Sequence, residues 1–249
     1  MRHFLIVILF LSFQYTEASV FAPSYEQKLK KFNQEMALKD SKFSAEDKAI
    51  MKNAGEYLAK SLPNPGIHIG EKAPNFVLNN AFGKTIRLKD ELKKGPVVLV
   101  FYRGSWCPYC NLHLRSLQES LPMIKRYGAR LITITPQKPD KSVEQLKNDG
   151  FRFEVLSDQS SKVMRDYKLY FEIPNDLMAL YKKFGINIED FNGQGRNSLP
   201  VPGSFVIDQN GIVQAMQAST DYKLRMEPQA MIDALKTIHK ENNKENIHY

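Results

Sequence analysis

Cys107 and Cys110 are the only cysteines of this 249-residue chain, and its only tryptophan, Trp106, stands directly before them. Residues i and i+3 of a helix are neighbours, so two thiols at this spacing can close a disulfide with little backbone movement. At a helix N-terminus the unpaired amides and the macrodipole favour a thiolate, and the first cysteine of such a pair titrates between about 3.5 and 7.5 instead of near 8.5. Pro108 fits that first turn, because its missing donor had no intrahelical partner to lose. The spacing therefore makes Cys107 the more exposed nucleophile and Cys110, one turn in, the resolving thiol.

Three uses of the pair compete. As an inert structural disulfide it closes so short a loop that the chain-entropy model gives it about 2 kcal/mol, against nearly 5 for a loop of ~100 residues. A structural zinc site wants four ligands, and His3, His68, His113, His239 and His248 supply no second close pair. A redox-active dithiol is the use this placement favours, with no cofactor and no metal expected. Arg103 could favour a thiolate or hold an anionic substrate, or be an ordinary basic loop residue. His113 could act as an acid or base, although an ordinary polar helix position is the expectation.

The elements that must position these residues can be read around them. Val97–Tyr102 is a run of apolar β-formers broken by Gly104-Ser105, so a buried strand feeds the cysteine pair. Cys110, Leu114, Leu117, Leu121 and Ile124 recur at helical intervals and predict an amphipathic helix. Leu131–Thr135 is the next strand, Ser142–Asn148 a helix and Phe153–Ser157 a third strand; that alternation implies parallel pairing. Before them, Ala73–Leu78 and Thr85–Leu88 form a hairpin. After them comes an insertion over 170–199 with a helix near Asp176–Phe184. A second hairpin, Ser204–Asp208 and Ile212–Met216, turns at Asn210-Gly211. A last helix carries Ala230, Ile232, Leu235 and Ile238, and 241–249 reads as a frayed tail. Leu199-Pro200-Val201-Pro202 leads straight into a strand and makes an X-Pro bond there a candidate cis peptide.

Residues 22–66 are a helical extension. Ser44-Ala45-Glu46-Asp47 is a capping-box-like helix start, and Pro63 and Pro65 end that helix. Arg2 and His3 precede the apolar run Phe4–Phe13, and a small residue, Ala18, follows, as in a cleaved secretory signal peptide over 1–18. A bilayer span needs ~20 apolar residues, so this run is too short to be one. The mature protein is expected outside the cytoplasm, secreted or periplasmic, without stable membrane insertion. Net charge is +8, but the lysines are scattered and no nucleic-acid motif is present, so nucleic acid is not an expected partner. The sequence leaves monomer and homodimer both open.

Several ordered motifs, Gly70/Ala73/Pro74/Phe76, Phe101–Cys110, Leu199–Pro202, Phe205–Asp208 and Asp221–Pro228, resemble the peroxiredoxin-like branch of the alkyl hydroperoxide reductase / thiol-specific antioxidant family over about 70–240. The resemblance implies an α/β, thioredoxin-like fold, a central mixed β-sheet flanked by helices. It implies an antioxidant thiol oxidoreductase that reduces hydroperoxides and is recycled by a thioredoxin-type dithiol. The close alternative is a thiol-disulfide oxidoreductase acting on protein disulfides, and a non-enzymatic binding module is a more distant one. Aligned without gaps, the family's peroxidatic cysteine falls on Cys110, its Thr or Ser on Cys107, its Pro on Arg103 and its Arg on Pro202. Only the cysteine is kept, so the alignment points to Cys110 while the spacing points to Cys107. Trp106, Arg103 and Pro202 are the expected supporting residues.

Overall fold

A computed structural model describes residue 22, residues 24–38 and residues 42–245 of the chain; the expected signal segment lies outside them. Two helices come first, α1 (Tyr25–Ala37) and α2 (Ala45–Ser61). The capping box at the start of α2 is formed: the Ser44 amide donates to Asp47 at 2.9 Å and the Asp47 amide to Ser44 Oγ at 3.1 Å. A short hairpin, β1 (Val77–Asn79) and β2 (Thr85–Arg87), leads through α3 (Leu88–Leu92) into β3 (Val97–Phe101). Then follow α4 (Pro108–Arg126), β4 (Arg130–Thr135), α5 (Pro139–Asp149), β5 (Glu154–Ser157) and α6 (Lys162–Asp166). The insertion folds as β6 (Tyr170–Glu172), α7 (Asn175–Lys183), α8 (Ile188–Asn192) and β7 (Ser198–Pro200), and β8 (Gly203–Ile207), β9 (Val213–Ala218) and α9 (Pro228–Glu245) complete the chain.

The main sheet has the order β5-β4-β3-β8-β9. The pairs β3·β4 and β4·β5 are parallel, as the strand-helix alternation predicts, and β3·β8 and β8·β9 are antiparallel. Strand β3 sits at the centre, with both faces covered, which is why its sequence is a continuous apolar run and not an alternation. Val98 and Val100 pack towards Leu114, Leu117 and Leu121 of α4 and Met231 and Leu235 of α9. Val97, Leu99 and Phe101 pack the other way, against Ile86, Leu88, Met164 and Tyr167. A third apolar cluster joins Ala54 of α2 to Leu177 and Leu180 of α7 and Ile188 of α8.

Two expectations are corrected. No described peptide bond is cis. The Val201 amide donates to Leu169 O at 2.7 Å and β7 pairs with β6, so an extended trans segment already delivers Pro202 to the start of β8. The tail is also shorter than expected. Helix α9 continues to Glu245, held in part by Asn243 bonding His239 at 3.1 Å and Asn242 bonding Gln209 at 3.3 Å.

Candidate functional site

Strand β3 ends one residue before Tyr102, and the segment 102–107 carries the chain from the sheet to α4. Gly104 makes the turn possible. Its φ is +151°, and a Cβ there would stand 2.5 Å from Trp106 Nε1. Cys107 is the N-cap of α4 and Pro108 opens the helix, as the spacing predicts. The Cys107 amide donates to Gly104 O at 3.1 Å, and the Asn111 amide donates to Cys107 O at 3.0 Å.

A buried polar network fixes this segment from below. The Ser105 amide donates to Gln137 Oε1 at 2.9 Å, and Gln137 Nε2 donates to Ser142 Oγ and Gln145 Oε1. Gln145 also accepts from Tyr102 and donates to Asn111, whose Nδ2 returns to Ser105 O at 2.7 Å. Each bond leaves a buried polar group satisfied, so the network holds the segment in one conformation.

Cys107 and Cys110 are both unbridged and fully buried. The expectation that Cys107 is the exposed member is corrected: it is 0% exposed and Cys110 1%. The reason is the arginine before it. Arg103 folds over Cys107 and donates from Nη2 to its Sγ at 3.2 Å. Its guanidinium lies over the rings of Tyr222, at 4.3 Å, and Trp106, at 5.2 Å, and Nη1 reaches the Tyr181 hydroxyl at 3.4 Å. Arg103, Trp106 and Pro202 all line one cavity, so the three expected supporting residues do meet.

Sequence reasoning missed Arg225. It is buried, and its Nη2 lies 3.6 Å from Cys110 Sγ while Nη1 donates to Leu224 O at 2.8 Å. Each sulfur therefore has its own guanidinium. The signal available in the sequence was the motif Asp221–Pro228, in which Arg225 sits.

The electrostatics separate the two thiols. Burial and the hydrogen bond with Cys110 push the Cys107 thiol well up. Burial also opposes charge on Cys110, but the hydrogen bond from Cys107 and the charges of Arg225 and Arg103 outweigh it and hold Cys110 well below the usual thiol range. The two directions favour a thiolate on Cys110 over one on Cys107. Burial raises Tyr181 and Tyr222, so both phenols are protonated at neutral pH.

His113 is neither exposed nor an acid-base group. Its Nε2 donates to Met226 O at 3.1 Å, Tyr25 meets its ring edge-on, and burial together with the charge of Arg225 lowers its pKa to about 3. Helix α1 closes this side. The Tyr25 hydroxyl donates to Lys223 O at 2.7 Å, and the amides of Tyr25 and Glu26 donate to the Glu227 carboxylate at 2.9 and 2.6 Å. Among the described residues no group of three or more His, Cys, Asp or Glu side chains could hold a metal ion.

A buried cysteine pair flanked by two guanidinium groups suits redox chemistry, and the comparisons with known proteins agree with it. The thiol-disulfide oxidoreductase ResA of Bacillus anthracis is 30% identical over 148 residues, 59% of this chain and 68% of that protein. The chloroplastic peroxiredoxin Q of Populus jackii is 26% identical over 167 residues, 67% of this chain and 65% of that one. In three dimensions the chain is similar to the peroxidoxin BcpB of Mycobacterium tuberculosis, with a TM-score of 0.53, 21% identity, and coverage of 71% of this chain and 98% of that chain. The fold is thus the thioredoxin-like, peroxiredoxin-type fold expected. Helices α1 and α2 and Arg225 lie outside residues 69–216, and across those residues the match is to the AhpC/TSA family, to which this chain belongs.

Proposed function

We propose that this chain is a thiol-dependent peroxidase in which the Cys110 thiolate attacks the hydroperoxide and Cys107 resolves the product. The observation that carries the reading is the pair of buried guanidinium groups, Arg225 on Cys110 and Arg103 on Cys107. Positive charge favours the attacking thiolate, and fixed donors beside the sulfur stabilise the charge that develops on the departing oxygen. Arg225 supplies from the 221–228 segment what the family alignment lacks at Pro202.

Cys110-S⁻ attacks the distal oxygen of RO-OH, the O-O bond breaks, and RO⁻ leaves and takes a proton to become ROH. Cys110-SOH then condenses with the Cys107 thiol to form the disulfide and release water. A thioredoxin-type dithiol reduces that disulfide by exchange and is itself oxidised. Trp106 and Pro202 shape the approach, and Gln137 and Asn111 are positioning residues. In this reading residues 1–18 are removed as a signal peptide, 22–66 form the extension, 70–240 form the catalytic domain, and the reaction takes place outside the cytoplasm. No helix among the described residues is long and apolar enough to cross a membrane.

One observation favours a second reading, reduction of protein disulfides with Cys107 attacking. The Cys107-Pro108-Tyr109-Cys110 pair opens a helix, and several relatives carry the name thiol-disulfide oxidoreductase. Parallel assays of the reduced protein on hydrogen peroxide and on insulin disulfides decide between them. Rapid peroxide loss with slow insulin reduction supports the peroxidase. The reverse order sinks it.

A further inference from the structure

Strand β3 leads into the cysteine segment at its C-terminal end. At the opposite end of the parallel strands, where β4 begins at Arg130 and where α4 and α5 finish, the surface holds a cleft. Its volume is about 730 Å³, within the ~300–1,000 Å³ range of small-molecule sites. The cavity beside Arg103 is an apolar chamber, walled by Ala54 and Leu58 of α2 and Leu177 and Leu180 of α7, and among the described residues that line it Arg103 and Glu172 carry charge. The far cleft is ringed by cations instead.

Lys94, Lys125, Arg130, Lys147 and Arg152 line it, against the carboxylate of Glu154. Lys94 and Arg130 both pair with Glu91, and Glu154 accepts from Asn80 Nδ2 at 2.9 Å. Lys125, Lys147 and Arg152 are exposed and pair with no carboxylate among the described residues. Lys125 and Lys147 stand in the last turns of α4 and α5, where the helix dipole favours a cation. Two helix ends together contribute at most about one negative charge. Five cations facing Glu91, Glu154 and those two ends therefore leave the cleft a net positive field.

Between the cations the wall is apolar. Phe151 and Phe153 turn inward and stack with their centroids 4.9 Å apart, and the same alternation turns Arg152 outward. Leu146 is half-buried beside them, and Phe82, in the β1–β2 turn, is 70% exposed on the rim. A lone exposed aromatic is ordinary. One that stands over a cationic cleft offers its face to the body of a ligand whose charge the cations hold.

We propose that this cleft binds an amphipathic organic anion, a phosphate or carboxylate group carrying an apolar body. The head group meets Lys125, Lys147 and Arg152, and the body lies against Leu146 and Phe82. An inorganic anion lacks the body and a cationic amphiphile lacks the charge, so neither fits both halves of the site. Neither cysteine and neither of their guanidinium groups lines the cleft. The site therefore stands whether the thiol chemistry acts on peroxides or on disulfides.

The test titrates the full chain calorimetrically with dodecyl phosphate, kept below its micelle concentration, beside inorganic phosphate and dodecyltrimethylammonium. Dodecyl phosphate should bind at least roughly tenfold more tightly than either of the others. Lys147→Gln with Arg152→Gln should weaken it about tenfold, and Phe82→Ser should weaken it while leaving inorganic phosphate unchanged. These side chains are exposed, and an unchanged urea midpoint shows that the fold is kept. Lys52→Gln with Lys60→Gln, on α2 beside the apolar chamber, should change nothing. No measurable binding, equal binding of inorganic phosphate or of the dodecyl cation, or equal weakening by the α2 pair overturns the site. So does an unchanged affinity in the Lys147 and Arg152 variant. Once dodecyl phosphate is seen to bind, sedimentation with phosphatidylglycerol-containing vesicles distinguishes the sources of the anion. Retention that is lost in the Lys147 and Arg152 variant supports the site with a lipid headgroup as its source, and no retention supports it with a free anion.

Discussion

The two sulfurs are alike in having one arginine each and opposite in everything behind it. On the Cys107 side Arg103 is stacked among Trp106, Tyr222 and Tyr181, and beyond it lies the apolar chamber. On the Cys110 side Arg225 is closed in by His113, Met226 and Tyr25, under helix α1. Both guanidinium groups act on both sulfurs, and the hydrogen bond between the thiols is what favours charge on Cys110 over Cys107. Charge and access are thus favoured on different sides: the electrostatics favour charge on Cys110, while the arginine over Cys107 lines the cavity.

Removing each sulfur in turn should have the largest effect. Cys110→Ser should lower the rate of peroxide-driven thiol oxidation by ~10³-fold or more, as loss of a nucleophile does. Cys107→Ser should still form a sulfenic acid, on Cys110, that cannot close to an intramolecular disulfide. Mass spectrometry after trapping with a sulfenic-acid reagent reads both. A trapped sulfenic acid on Cys107 of the Cys110→Ser protein at the wild-type rate reverses the assignment.

Exchanging the arginines comes next. Arg225→Ala should raise the Cys110 pKa and slow the peroxide reaction about 10²–10³-fold, the usual cost of losing a fixed donor at a developing oxyanion. Arg225→Lys keeps the charge without the planar fork and should recover only part of the rate. Arg103→Ala should cost less, because Cys110 keeps Arg225 when it is gone. Thiolate absorbance against pH, measured beside the rate, separates a shifted pKa from lost substrate contact.

The walls differ in pH response as well. His113, held neutral, has its pKa lowered from the ordinary 6.5 to about 3. Its contribution to stability is complete above pH 6.5, falls by about 1.4 kcal/mol per pH unit below that, and is exhausted near pH 3. Acid should therefore loosen the Cys110 side, and His113→Asn should flatten that part of the stability curve. Urea unfolding between pH 7 and 4 measures it; parallel curves for the two proteins refute the role given to His113.

Much of the Cys107 side was legible in the sequence, and much of the Cys110 side was not. Strand β3, the stripe Cys110, Leu114, Leu117, Leu121 and Ile124, and the Ser44 cap follow local rules of periodicity and capping, so the sequence displays them directly. Arg225 reaches Cys110 across 115 residues from a segment with no period, and a lone arginine reads as solvated surface until the fold buries it. His113, Ser116 and Ser120 lie at helical spacing beside the apolar stripe and are buried because α1 and α9 cover that flank, which polarity alone hides. The exposure of Cys107 was misjudged for the same reason. A helix start is normally open, but here an arginine four residues earlier is folded back over it.

The smallest effect concerns how α1 holds the sealed side. The Glu227 carboxylate accepts from two first-turn amides of α1, where negative charge meets the positive end of the helix dipole. Glu227→Gln keeps the shape but removes the charge, and should cost about 1 kcal/mol in urea unfolding. The difference should shrink as salt is raised, since a partly exposed charge-dipole contact is screened. Because Tyr25 also bonds Lys223 O in the segment that carries Arg225, loosening α1 should lower the peroxide rate a few-fold as well. A stability loss with an unchanged rate would mean that Arg225 is positioned by its own bond to Leu224 O. Helix α1 would then be a cover for the charged sulfur and no part of what orients its guanidinium.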